Sequence, residues 1–132
     1  MDVTTLPLAE FARQIAARAI SPVDATRAYL DRIERLDPAL HAWAEVWPEQ
    51  AMQRAQASEH RIRSGMPAGL LEGVPLGLKD LVDVKGYATS AGSTARKNQQ
   101  ATVTATVARR LLDAGAILLG KTHLVEFAFG GW

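Results

Sequence analysis

The sequence predicts an α/β protein in which N-terminal helices pack on a mixed, mainly parallel sheet. Three observations carry that prediction. Apolar residues recur at helical spacing through the first 66 residues, alternate at strand spacing over 74–79, and run unbroken from Ala116 to Leu119. A strand, a helical stretch and a second buried strand, in that order, imply a right-handed crossover, which joins parallel strands. The 132 residues therefore read as one unit, with a helical part over 1–66 and a strand and crossover part over 67–132.

The elements follow in order. Leu8, Phe11, Ile15 and Ala19 form one helical stripe. Ser21 is placed to cap a second helix, with Pro22 in its first turn and Val23, Thr26, Leu30 and Ile33 on one face. Asp37-Pro38 is expected to end it, because the residue before a proline is pushed out of the helical region. His41 to Trp47 predicts a short strand, and Met52, Ala55 and Ile62 a third helix that stops at Ser64-Gly65. Further on, Val74, Leu76 and Leu78 alternate with Pro75, Gly77 and Lys79, so one strand face is branched and the other carries small residues and a lysine. Thr102 is expected to cap a crossover helix with Val103, Val107 and Leu111 inside and Gly115 at its stop. Ala116–Leu119 then reads as a strand covered on both faces.

Composition narrows the function. The chain is 48% hydrophobic and 22% charged with a formal net charge of +1, and its basic residues are scattered among acids. That balance gives no reason to expect nucleic acid or an anionic membrane. No apolar run approaches a membrane span, and MDVTTLPLAEF has an acid where a secretion signal needs basic residues, so a cytoplasmic setting is expected. The absence of cysteine excludes disulfides and thiolate chemistry.

Two lysines invite opposite readings. Gly115-Ala-Ile-Leu-Leu-Gly-Lys-Thr122 satisfies the phosphate-loop pattern letter for letter. Its context is wrong: helix precedes the first glycine, and the variable residues are themselves an apolar strand, which cannot line a polar phosphate nest. Lys79, in contrast, ends a strand after Leu78 and shares a face with Gly77, where another backbone could come close. Partial desolvation there would favour the neutral amine, the form in which a lysine accepts a proton. The alternative is a strand-end lysine paired with Asp80 or Asp83.

Four segments occur in a fixed order: GVPLGLKDLVDVKG at 73–86, TSAGS at 89–93, AGAILLGKT at 114–122 and EFAFG at 126–130. In that order they resemble the N-terminal part of the amidase signature family, serine hydrolases of C–N amide bonds. The resemblance implies an incomplete part of that fold, with 1–132 the N-terminal portion of an amidase domain. It implies that Lys79 is the catalytic base of a Ser-Ser-Lys relay acting by an acyl-enzyme route. It further implies that Ala128, Phe129 and Gly130 look onto the substrate channel, and that Lys121 and Thr122 are structural. No metal or organic cofactor is implied. Both relay serines and the oxyanion-binding amides would lie past Trp132, and Ser90 and Ser93 read as turn formers. The chain alone is thus expected to lack amidase activity. With Gly130-Gly131-Trp132 following an apolar segment, it is also expected to aggregate. The expected ligand is a small amide, and the expected partner is the missing C-terminal portion or a second copy. The alternative is a non-catalytic scaffold or interaction module derived from an amidase.

Overall fold

The computed structural model describes residues 2–130, so the expectation for the Gly131-Trp132 end lies outside the described residues. The elements are α1 (Leu8–Ala16), α2 (Pro22–Leu40), β1 (Trp43–Val46), α3 (Pro48–Arg63), β2 (Pro75–Lys79), α4 (Thr106–Asp113) and β3 (Ile117–Thr122). The strands form one mixed sheet in the order β1-β3-β2, with β1 antiparallel and β2 parallel to the central β3. The expected mixed α/β architecture is the one found. Among the described residues no helix is long and apolar enough to cross a membrane.

Both faces of the sheet are covered. Ile117 and Leu119 pack with Ala51 and Ala55 of α3, Val23, Tyr29, Leu30 and Ile33 of α2, and Trp43. Leu118 turns the other way, onto Leu78, Val84, Trp47 and Ala108, with Leu111 and Leu112 of α4 against them. Residues 116–119 are accordingly all buried, as a strand between two helical layers requires. A third cluster, Phe11, Ile15, Ile20, Ala25 and Val74, ties α1 to α2 and to the approach of β2.

Local chemistry sets the helix ends. Ser21 Oγ accepts from Val23 N at 3.1 Å and Asp24 N at 3.2 Å, and donates to Glu59 Oε1 of α3 at 2.6 Å. Replacing Ser21 by alanine therefore loses both a cap and a link between helices. The expected cost is about 1–2 kcal/mol, read as a lower urea midpoint; an unchanged midpoint would show that the cap is dispensable.

Four expectations are corrected. Helix α1 stops at Ala16, because Arg18 takes a left-handed φ of 62° and turns the chain, which leaves Ala19 exposed and buries Ile20 instead. Leu8, on the predicted stripe, is also exposed. Helix α2 runs through Asp37-Pro38 to Leu40, since a proline in the exposed last turn forfeits only one late bond. The real stop is His41, whose φ is 49°; its N–H bonds Asp37 O, while the Asp37 carboxylate takes the N–H groups of Ala42 and Trp43.

Thr102 caps nothing. Residues 104 and 105 are instead pinned to the loop after β2: Thr104 Oγ1 accepts from Lys85 N, and Ala105 N donates to Asp83 O. Helix α4 therefore begins at Thr106, and it buries Ala108 while Val103 and Val107 stay exposed. Gly115 does mark its stop, with a φ of +93° and a virtual Cβ 2.7 Å from Glu72 Cα.

Finally, β3 extends past Leu119 to Thr122. Gly120, Lys121 and Thr122 are thus strand residues, and the literal phosphate-loop match has no loop.

Candidate functional site

Parallel strands in α/β proteins gather ligands at their C-terminal ends, where the loops that follow leave the sheet. Here β2 and β3 end side by side, with Lys79 opposite Thr122. Asp80 N donates to Thr122 O at 3.1 Å, and the Lys79 carbonyl accepts from Leu81 N at 2.8 Å and Val82 N at 3.0 Å. Lys79 is therefore the last residue of its strand and sits in a backbone held from two sides.

Its side chain is exposed, contrary to the expected desolvation. The reason lies in the strand pleat. Leu78 is buried on the α4 side, and Lys79 points to the opposite face, at the free edge of β2. Gly77, on the same face as Lys79, makes room for a side chain and not for a backbone: a Cβ there would lie 2.7 Å from Trp43 Cη2.

The buried polar centre of the site is a different pair. Lys121 is 1% exposed, and its Nζ reaches Asp80 Oδ1 at 3.4 Å, Ala88 O at 3.3 Å and Thr89 Oγ1 at 3.2 Å. Asp80 is 4% exposed and also receives Ser90 N at 3.2 Å and the Ser90 hydroxyl in a short hydrogen bond. Ala91 N completes the set on Asp80 O at 2.8 Å. The TSAGS turn is thus fastened to the end of β2 through one residue. Ser90 and Ser93 build that turn: Ser90 Oγ accepts from Gly92 N, and Ser90 O from Ser93 N.

The turn in its own right holds the last segment. Gly92 lies so close to residue 124 that a Cβ would stand 2.6 Å from Leu124 O, and Phe127 N donates to Ala91 O at 2.7 Å. Phe127 and Ala128 take left-handed φ values of 52° and 56°, Gly130 has a φ of 142°, and Ala128, Phe129 and Gly130 are exposed. The structure thus links Lys79 to residues 128–130 through Asp80 and the turn, with no side-chain hydrogen bond between them among the described residues. A cavity of about 440 Å³ opens beside the turn, bordered by Asp80, Ser90, Ser93, Lys97, Lys121 and His123. Lys79 is not part of its wall. Among the described residues no group of three or more His, Asp or Glu could hold a metal.

The Asp80–Lys121 pair is the feature that sequence reasoning missed. A lysine inside an apolar strand and an acid directly after another strand are the available signals, but the sequence offers Asp80, with Asp83, only as an alternative partner of Lys79.

Comparisons with known proteins agree with the fold and with the family resemblance. The family model described as Amidase matches residues 24–131. A glutamyl-tRNA(Gln) amidotransferase subunit of Acidothermus cellulolyticus is 41% identical over 129 residues, which is 98% of this chain and 26% of that protein. Among solved structures, the native peptide amidase of Stenotrophomonas maltophilia superposes with a TM-score of 0.86 at 38% identity, covering 93% of this chain and 26% of that one. A chain from a vestigial protein complex bearing on the origins of an s-triazine catabolic enzyme gives a TM-score of 0.90 at 32% identity, over 95% of this chain and 28% of that one. The chain therefore spans about a quarter of the length of the relatives that it matches.

Proposed function

This chain belongs to the amidase family, and from that premise we propose that residues 1–132 are the N-terminal portion of a domain that hydrolyses a carboxamide C–N bond. The helical part over 1–66 and the strand and crossover part over 67–132 belong to that one domain. The observation that carries the proposal is Lys79 at the C-terminal end of a parallel strand, with a fixed backbone and a side chain free of the neighbouring acid.

In this reading a serine supplied by residues outside this segment attacks the amide carbonyl. Its proton passes through a second serine to the amine of Lys79, which acts as the base. The tetrahedral intermediate collapses to an acyl-enzyme as the C–N bond breaks, and the proton held at Lys79 returns to the departing nitrogen. Water then attacks the ester by the same relay. Ala128, Phe129 and Gly130 would border the amide's channel; the left-handed backbone at 127–128 supports a segment that shapes a ligand site. The setting is cytoplasmic, and the partner is the remainder of the domain or a second copy.

The test compares two proteins. The full-length protein should release ammonia or amine from a carboxamide, while residues 1–132 alone should release none. Amide hydrolysis by residues 1–132 that disappears in Ser90→Ala would overturn the reading, because Ser90 would then be the nucleophile.

A further inference from the structure

The residue after Lys79 is an acid, and in an unfolded chain it would be the nearest partner for the ammonium. The fold assigns it elsewhere. Neighbouring side chains on a strand point to opposite faces, and the register sets Leu78 against Lys121 and Lys79 against Thr122, so Asp80 and Lys121 share a face that Lys79 does not. All the polar groups of Asp80 are then used: its carboxylate by Lys121 and Ser90, its N–H by Thr122, its carbonyl by Ala91. Lys79 takes part in none of the ion pairs among the described residues.

We propose that Lys121 is a positioning residue for Lys79: by holding Asp80 in a buried ion pair, it withdraws the adjacent acid and keeps the Lys79 amine free to exchange protons. The proposal rests on the reading of Lys79 as the base. A buried pair of this kind is a weak source of stability, because desolvation offsets the attraction, but it fixes where a charge resides. Removing Lys121 leaves the buried Asp80 carboxylate without its cation, so the carboxylate is expected to turn out of that face toward solvent, where the next cation along the chain is Lys79. A lysine tied to a carboxylate holds its proton and is a poor base and a poor nucleophile.

Competitive acetylation of the full-length protein with acetic anhydride at fixed pH, read by peptide mass spectrometry, measures this directly. The exposed Lys85, which lies away from the cavity beside Asp80, serves as the internal standard. In Lys121→Met, the labelling of Lys79 relative to Lys85 should fall about tenfold, the effect of one opposite charge brought into contact. Adding Asp80→Asn should restore it, although the double variant has lost more bonds than the single one. Unchanged labelling of Lys79 in folded Lys121→Met, or no recovery in the double variant, would overturn the proposal. If Lys121→Met does not fold, Asp80→Asn alone decides: Lys79 labelling should stay as in the wild type, and a rise would show that Asp80 had been its partner all along. Labelling needs no turnover, so a failure here is distinct from a failure of the catalytic reading, which Lys79→Ala tests.

Discussion

Replacing Lys79 by alanine in the full-length protein is expected to lower kcat for amide hydrolysis by about three orders of magnitude or more, the scale seen when one member of a catalytic relay is removed. The fold should survive. The strand pairs through backbone groups that alanine retains, so the variant should stay folded. KM should change little, because a base that acts on the nucleophile contributes to the transition state and not to substrate binding. Lys79→Arg separates a base from a mere cation: arginine keeps the charge but does not give up its proton in a protein, and it should be as inactive as alanine. Near-normal turnover by either folded variant would remove Lys79 from the mechanism.

The second large effect concerns stability. Gly120 lies in the central strand with a φ of +153°, and a Cβ added there would stand 2.1 Å from Glu45 O and 2.9 Å from Val46 Cα. Those neighbours are strand backbone, so nothing can rotate away. Gly120→Ala should therefore cost more than about 4 kcal/mol, the range reserved for gross steric or core defects, and much of the protein should be insoluble. Gly65→Ala is the control. Gly65 also has a positive φ, +66°, but nothing lies within 4 Å of its virtual Cβ, so only backbone strain of about 1–2 kcal/mol is expected. Equal unfolding midpoints for the two variants would show that the approach of β1 to Gly120 is not the constraint. A large gap would assign the glycine of the GKT sequence to strand packing.

Much was legible in the chain by itself. The cap at Ser21, the stop at Ser64-Gly65, the strand at 75–79 and the buried strand beginning near residue 116 all follow from side-chain chemistry that acts within a few residues. Burial on both faces of 116–119 was legible for the same reason, since an unbroken apolar run leaves no face for water. The placement of Lys79 at a strand end was read from alternation, and the family from the order of four segments. The misreading at Thr102 has a tertiary cause, since a local preference of about 1 kcal/mol yielded to the hydrogen bonds that tie Thr104 and Ala105 to the loop after β2, whereas those at Ala19 and Asp37-Pro38 turn on the left-handed backbone of Arg18 and His41.

The sequence by itself determined the helix and strand content, the strand-end position of Lys79 and the family to which the chain belongs, because each depends on residue order and periodicity. Only the tertiary structure decided which acid meets which lysine. Strict alternation from Ile117 would put Lys121 on the face of Leu119. Between Leu76 and Gly77 of β2, however, β3 carries one extra residue, and this shifts Lys121 onto the face of Leu78, where Asp80 lies. Such a bulge is set by the backbones that pair on both sides of Gly120, contacts between residues more than forty positions apart in sequence. No periodicity within one segment can encode it.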